Sequence, residues 1–132
     1  MITVQGICMN TDWREGASTP LPSAPGIYAE VCWPERAVRI GETGRSIRAK
    51  VAHDWRWMRA MHDGTAPASQ LRRPHPICRA AIELGPVAFE AYTVSADPRL
   101  ADKALRQELE RTLFGWLEGA GWVNWNRQVS WR

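Results

Sequence analysis

Three residues whose side chains could bind or process a nucleic acid stand at helical spacing in the middle of the chain. Lys50, His53 and Trp57 stand at positions i, i+3 and i+7, so a helix places them on one face. An ammonium group can bind a phosphate, an imidazole can hold a phosphate or transfer a proton, and an indole can stack on a base. This face is a candidate for contact with a nucleic acid. The alternative is an ordinary solvated helix face.

The distribution of charge around that face permits binding to a polyanion. The 132-residue chain carries 17 Lys and Arg against 14 Asp and Glu, a formal net charge of +3. The excess is concentrated between Arg36 and Arg79, where ten basic residues stand against three carboxylates. Within this stretch, Arg45, Arg72 and Arg73 are further candidates for contact with a nucleic-acid backbone.

The bulk properties predict one small domain with a real core. Hydrophobic residues make up 45% of the chain, and no run approaches the roughly 18 to 20 apolar residues that span a bilayer. The first ten residues lack the features of a secretion signal, so we expect a soluble, cytoplasmic protein. Cys8, Cys32 and Cys78 are widely spaced, which favours reduced thiols over a structural zinc site.

The elements that must position these residues follow from composition and periodicity. Residues 1–24 predict an N-terminal strand or arm and a proline-rich loop, ahead of a domain over residues 25–132. Residues 26–33 and 35–40 are rich in strand formers and predict a β-hairpin. Thr43 or Ser46 can then cap a helix. Its apolar stripe is predicted to be Ile47, Val51, Trp55 and Met58.

The second half of the chain predicts a loop, a strand and a helix. Residues 63–76 contain three prolines and a glycine and are expected to form a long loop. The segment Val87–Val94 alternates and predicts a third strand, and Asp97 with Pro98 opens a final helix. The buried stripe of that helix is predicted to be Leu105, Leu109, Leu113 and Trp116. The predicted order is β-β-α-β-α, with a tail from residue 122.

An ordered set of short motifs runs through these elements. Gly26-Ile27-Tyr28 begins the first strand of the hairpin, Arg39-Ile40-Gly41 ends the second, and His53 follows on the helix. The last helix carries Leu109-Glu110-Arg111-Thr112-Leu113-Phe114, and Asn124 follows it with Asn126 behind. In order and spacing these motifs resemble the GIY-YIG nuclease superfamily over about residues 25–126. The resemblance implies an α+β fold in which a small three-stranded antiparallel sheet is flanked by helices.

The resemblance also implies a metal-dependent endonuclease that hydrolyses DNA phosphodiester bonds. Tyr28 would orient or activate the attacking water, and Glu110 would hold a single Mg²⁺ or Mn²⁺. His53 would assist proton transfer or hold the phosphate. The positive field would come from Lys50, Arg39 or Arg48, and the nucleic-acid contacts would be Arg45, Lys50, Trp57, Arg72, Arg73 and Asn124.

Two positions depart from the family's pattern. Arg39 replaces the tyrosine of the second motif, and the arginine that the following helix usually bears is replaced by Ala49 and Lys50 or displaced to Arg48. Lysine supplies charge to a phosphate but lacks the bidentate fork of a guanidinium. These changes bear on activity more than on fold.

Two other functions remain open at this point. The first is a catalytically degenerate GIY-YIG-like module that binds nucleic acid or protein, and the second is a protein-binding domain with no role in nucleic-acid chemistry. The expected partner is DNA, with RNA as an alternative, and no membrane. Because a chain of this length shows no separate DNA-reading domain, we expect weak specificity, a homodimer or a targeting partner.

Overall fold

The computed structural model describes residues 1–126, and this part of the chain has an α+β architecture. Its strands are β1 (Ile2–Val4), β2 (Ile7–Met9), β3 (Gly26–Cys32), β4 (Ala37–Thr43), β5 (Phe89–Ala96) and β6 (Val123–Asn124). Its helices are α1 (Ile47–Asp63), α2 (Ala68–Leu71), α3 (Pro76–Leu84) and α4 (Lys103–Gly119). The predicted α+β class is confirmed, and the end of the predicted domain, residues 127–132, lies outside the described residues.

The main sheet has the strand order β5-β3-β4-β6. The central strand β3 pairs antiparallel with both β4 and β5, and β6 adds a short parallel pairing to β4. The prediction of a single three-stranded sheet was therefore incomplete, since β6 extends it and β1 pairs with β2 in a separate hairpin. A strand of two residues such as β6 has no periodicity by which the sequence could reveal it.

Strand β3 is buried along its whole length, and its two faces meet different partners. Ile27, Ala29 and Val31 point to one side, where they form a core with apolar residues of α4. Because side chains alternate along a strand, Tyr28 points to the other side, where it packs with residues of α1. We call these two sides the α4 face and the α1 face of the sheet.

Helix α1 begins at Ser46, one of the two predicted caps, and its buried face matches most of the predicted stripe. The hydroxyl of Ser46 accepts a hydrogen bond from the backbone N–H of Ala49, and Gly64 ends the helix in the left-handed conformation that favours glycine. Trp55 of the predicted stripe is only half-buried. The buried residues of the helix are Ile47, Val51, Asp54, Met58 and Met61.

The predicted loop over residues 63–76 was wrong in part, and the helix after it was missed. Residues 68–71 form α2, and α3 starts at Pro76, where the missing N–H of proline does no harm in the first turn. His75 caps α3 by accepting the backbone N–H of Ile77 on its imidazole. A proline-rich composition therefore hid two helix starts, because proline at the N-cap of α2 or at the first position of α3 looks the same as proline in a loop.

Two boundaries in the second half differ from the predicted ones. A turn of 3₁₀-helix over Pro86–Ala88 leaves Val87 exposed, so β5 begins at Phe89. A second such turn precedes α4, whose N-cap is Asp102, and α4 continues through Gly115 to Gly119. Along α4, the buried residues include Leu109, Leu113 and Leu117, while Leu105 and Trp116 of the predicted stripe pack at its edge.

The N-terminal segment packs against the same core as the sheet. Ile7, Met9 and Trp13 are buried on the α4 face, and the backbone N–H of Asn10 donates to the carbonyl of Val94 on β5. The ring of Trp13 makes edge contacts with two further tryptophans, Trp116 and Trp122. None of the helices among residues 1–126 is long and apolar enough to cross a membrane.

Candidate functional site

A cluster of four polar side chains, three buried and one half-buried, lies on the α1 face of the sheet. Glu30 on β3 and Arg39 on β4 are directly paired across the two strands. Nη1 of Arg39 donates to Oε1 of Glu30 over 2.8 Å and to Oδ2 of Asp54, on α1, over 2.9 Å. The hydroxyl of Tyr28 donates to the same Asp54 oxygen over 3.2 Å. We call these residues, Tyr28, Glu30, Arg39 and Asp54, the polar cluster.

The position of Tyr28 depends on a glycine in the second motif. Tyr28 pairs with Gly41 across β3 and β4, and a Cβ atom added to Gly41 would lie 2.1 Å from Cζ of the phenol ring. The ring of Tyr28 lies directly over the backbone of Gly41 and occupies the space that a side chain at position 41 would need. The two motifs predicted from the sequence are therefore adjacent and in register.

Burial and the charges within the polar cluster shift the pKa values of its members, and the two effects partly oppose each other. Desolvation, followed by hydrogen bonding to Asp54, raises the pKa of Glu30 well above its usual range although Arg39 opposes it. Desolvation also raises the pKa of Tyr28, and the charges of Asp54 and Glu30 raise it further. The pKa of Arg39 is lowered by desolvation but raised on balance by the two carboxylates. Burial therefore opposes the ionisation of Glu30 and of the phenol, while the guanidinium of Arg39 stays charged.

Beside the polar cluster lies an open cleft of about 410 Å³. Three segments that are distant in the sequence contribute to its wall: the middle of α1, the connection from α2 to α3, and the residues after β6. Both guanidinium and imidazole groups line it, together with two indole rings. The lining residues are Arg39, His53, Asp54, Trp57, Gln70, Arg73, His75, Ile77, Trp125 and Asn126.

The two histidines of the cleft have different roles. Nδ1 of His75 accepts the N–H of Ile77 and its Nε2 lies 3.1 Å from the carbonyl of Trp125, so a neutral ring bridges α3 and the end of the described chain. Burial lowers the pKa of His75, in agreement with the neutral form. The imidazole of His53 is exposed, and it forms no hydrogen bond with any of residues 1–126. His53 is therefore the one available for chemistry.

Asn126 closes the cleft at the edge of β4. Its side-chain amide bonds to both the N–H and the carbonyl oxygen of Ile40, the middle residue of the second motif. Asn124, the residue predicted to close the motif, is buried beneath, and its Oδ1 accepts the backbone N–H of Asn126 over 3.0 Å. The structure thus places Asn126 rather than Asn124 at the cleft.

Of the predicted site residues, the structure brings five together at the polar cluster and cleft. His53, Trp57 and Arg73 line the cleft, Arg39 joins the cleft to the cluster, and Tyr28 lies below. Tyr28 is 1% exposed, and its hydroxyl is not part of the cleft wall.

The other predicted cations lie outside the cleft. Lys50 and Arg45 are exposed at the start of α1 and just before it. Nε of Arg48 donates to the carbonyl of Leu21 over 2.9 Å, so that side chain ties the N-terminal segment to α1. Arg72 is exposed, and its Nε contacts the carbonyl of Ala68 in its own helix.

Glu110 lies on the opposite side of the sheet from Tyr28. It projects from α4 beside Glu42, whose side chain is bonded to Nε of Arg106. Burial, reinforced by the charge of Glu42, raises the pKa of Glu110 to about 7, and Arg106 offsets part of the rise. Arg106 lies one turn before Glu110, a spacing that allows an ordinary ion pair, but its guanidinium is held by Glu42 and the carbonyls of Leu100 and Ala101.

This placement does not fit a metal centre shared by Tyr28 and Glu110. Within residues 1–126, no three His, Cys, Asp or Glu side chains converge on one point. Mg²⁺ can be bound by one or two carboxylates with waters and substrate phosphates, but those groups must lie beside the reacting phosphate. Asp54 is the carboxylate on the cleft wall, and Glu110 is on the far face.

Several residues of this site were missed in the sequence although some gave a signal. Asp54 interrupts the apolar stripe of α1 at the spacing of a core residue, and Glu30 is the single charge in an otherwise apolar strand. A charge at a core position marks a buried pair or a functional group. His75, Trp125 and Asn126 gave no comparable local signal, since they reach the cleft through tertiary contacts.

The chain has no significant match to a protein-family model, a curated protein or a solved structure. The geometry of the polar cluster and cleft therefore has to support a functional proposal by itself.

Proposed function

We propose that this protein is a GIY-YIG-like nucleic-acid phosphodiesterase that works in the cleft beside the polar cluster. The observation that carries the proposal is the pairing of the two motif strands. The ring of Tyr28, on β3, lies on Gly41 of β4. Arg39 extends from β4 into a cleft lined by cations, imidazoles and indoles. These are the groups that bind a phosphate and an adjoining base.

In this proposal Arg39 provides the fixed positive charge. Its Nη1 is held by Glu30 and Asp54, and its side chain is 35% exposed, so the guanidinium has one side anchored and the other toward the cleft. A donor that is already oriented stabilises charge on the phosphoryl oxygens without further reorganisation. Arg73, which also lines the cleft, supplies a second, exposed guanidinium.

His53 is the group we assign to proton transfer. Water attacks phosphorus, its proton passes to the free imidazole of His53, and the bond from phosphorus to the leaving oxygen breaks as that oxygen takes a proton from solvent. Asp54 acts as a positioning residue because one oxygen holds both Arg39 and Tyr28. Tyr28 stays neutral below the cleft and supports Asp54.

The proposal still includes the expected Mg²⁺ or Mn²⁺, but it assigns the ion no step of the reaction. Glu110 is the predicted ligand, and its position across the sheet gives it no contact with the cleft. Activity assays therefore need arms with Mg²⁺, with Mn²⁺ and with a chelator. The proposed setting is cytoplasmic, with DNA or RNA as substrate and a second copy or a targeting partner supplying specificity.

A second candidate function is a binding module that does not cut. Two observations favour it: the phenol of Tyr28 is buried, and Glu110 is separated from the polar cluster. Both residues were expected to take part in catalysis. The cleft would then bind the same polyanion through Arg39, Arg73 and Trp57.

Cleavage of supercoiled plasmid and of end-labelled single-stranded DNA and RNA discriminates the two functions. We expect the wild type to cut at least one substrate and His53→Ala to lose cutting at unchanged thermal stability. Arg59→Ala is the matched control, because Arg59 is exposed on α1 and outside the cleft. If His53→Ala cuts as fast as the wild type, the active site lies elsewhere. Binding without cutting in all metal arms would establish the binding module.

A further inference from the structure

We propose that the cleft accepts one unpaired nucleotide, with its base against Trp57 and its phosphate between Arg39 and Arg73. The substrate class would be single-stranded or locally unpaired nucleic acid rather than continuous duplex. This inference rests on the proposed function only in requiring that the cleft bind nucleic acid.

The first support is the state of the Trp57 ring. Most tryptophans within residues 1–126 are engaged in edge or tilted contacts with another aromatic ring, as in the pairs Trp13–Trp116 and Trp55–Phe89. Trp57 makes no such contact with any ring of that part of the chain, yet it is half-buried and lines the cleft. Its position is fixed by the core below, while its indole is left for a ligand.

The second support is the arrangement of charge around that ring. His53 lies one turn before Trp57 on α1, and Arg73 approaches from the α2–α3 connection. Arg39 stands deeper, held by the two carboxylates of the polar cluster. A ring that shares its cleft with two guanidinium groups is the combination that single-strand-binding proteins use, because the base stacks while the backbone phosphate is neutralised.

The third support is the side-chain amide of Gln70. Gln70 is half-buried on the cleft wall, and its side-chain amide forms no hydrogen bond with another described residue. An amide has both donors and an acceptor and can pair with a base edge. This group gives a base something to bond to once it has left its own partner.

The volume of the cleft and the accessibility of the base decide between strand forms. At about 410 Å³ it lies in the range of sites for one small ligand, on the order of 300 to 1,000 Å³. A base within a duplex is stacked on both faces and paired at its edge, so it cannot lie on Trp57 unless it is flipped out. An unpaired nucleotide reaches the same position without that cost.

Fluorescence polarisation in EDTA, which separates binding from cutting, tests the inference. The probes are a labelled 12-nucleotide DNA strand, the RNA of the same sequence, and the blunt DNA duplex. We expect the single strands to bind at least about 10-fold more tightly than the duplex. Trp57→Leu should lose most of that difference, and Trp57→Phe, which retains a ring, should preserve most of it.

The cations have their own signature in the same assay. Arg73→Ala should weaken single-strand binding and reduce the slope of log K against log salt concentration by about 0.7, whereas Arg59→Ala should leave strand preference unchanged. Duplex binding as tight as single-strand binding, or an equal loss on both forms in Trp57→Leu, would overturn the inference. Absence of all nucleic-acid binding would remove the proposed function as well. Strand-selective binding without cutting would leave the inference intact and overturn only the hydrolysis.

Discussion

The two faces of the central sheet are built from alternate residues of the same strand, and they solve different problems. On the α4 face, Ile27, Ala29 and Val31 pack into an apolar core with α4 and a group of tryptophans. On the α1 face, Tyr28 and Glu30 meet Arg39 and Asp54 in the polar cluster. Burying such groups costs free energy unless each is paired. The α4 face is therefore closed by apolar packing, whereas the α1 face combines the polar cluster with apolar contacts to α1 and α3.

The largest expected loss of stability comes from creating a cavity on the α4 face. Leu113 is fully buried on α4, and Leu113→Ala should lower the free energy of unfolding by about 4 kcal/mol, measured by urea denaturation. The folded fraction should still bind nucleic acid as the wild type does, since no residue of the cleft has changed. A change in the affinity of the folded fraction would show that the two faces are not independent.

A slightly smaller loss is expected from breaking the polar cluster. Arg39→Met leaves the carboxylates of Glu30 and Asp54 without their cation and should cost about 3 kcal/mol in the same denaturation assay. Adding Asp54→Asn to this variant should recover part of the loss, because an unpaired charge is then removed. No recovery would mean that packing, rather than charge, holds this face together.

The contact between the two motifs predicts an intermediate effect. Gly41→Ala forces a methyl group into the ring of Tyr28, so we expect a loss of about 2 kcal/mol in thermal or urea unfolding. Tyr28→Phe keeps the ring and removes only the hydroxyl, and it should cost less. In the double variant Gly41→Ala, Tyr28→Ala the penalty of the added methyl should vanish. A methyl penalty that persists in the double variant would place its origin in the backbone.

The smallest effect concerns the carboxylate on the α4 face and depends on pH. The pKa of Glu110 is about 7 in the folded protein against a usual value of 4.5, so the folded state binds the extra proton between these pH values. Wild-type stability should fall as pH rises through this interval, and Glu110→Gln should abolish that fall. Above pH 8 we expect the variant to be more stable by about 1 kcal/mol, after allowance for solvent screening of a partly exposed group.

Thermal melts from pH 4 to 9 check this prediction, with no difference between the two proteins expected at pH 4. Parallel curves over the whole range would contradict it. If Glu110 also holds a divalent ion, Mg²⁺ should raise the melting temperature of the wild type above pH 7.5 and leave the Gln variant unchanged. That arm tests the predicted metal ligand without requiring any cleavage.

Much of the frame was predictable because it depends on local pattern. The hairpin, the stripe of α1 and its Ser46 cap, and the leucines of α4 follow from spacing along the chain. Which face of the sheet receives α4 does not follow, since an amphipathic helix packs equally well on either side as far as its own sequence shows. For that reason Glu110 could be assigned to a helix but not to a side of the sheet.

The site itself was predictable only in part. His53 and Trp57 were found together because one helix carries both, whereas Asn126 reaches Ile40 across 86 residues. The choice between Asn124 and Asn126 depends on how β6 docks beside β4, which no local property encodes. The short helix α3, whose start at Pro76 was not recognised in the sequence, contributes Ile77 to the wall of the cleft.

The side-chain amide of Asn126 imitates a peptide group. By pairing with both the N–H and the carbonyl of Ile40, it adds one more rung to the two-residue ladder of β6 along the outer edge of β4. An uncovered edge invites pairing with a strand of another chain. Because Trp125 and Asn126 also line the cleft, the contacts that cover this edge are the contacts that complete the proposed binding site. Solubility and ligand binding should therefore be lost together when these residues detach.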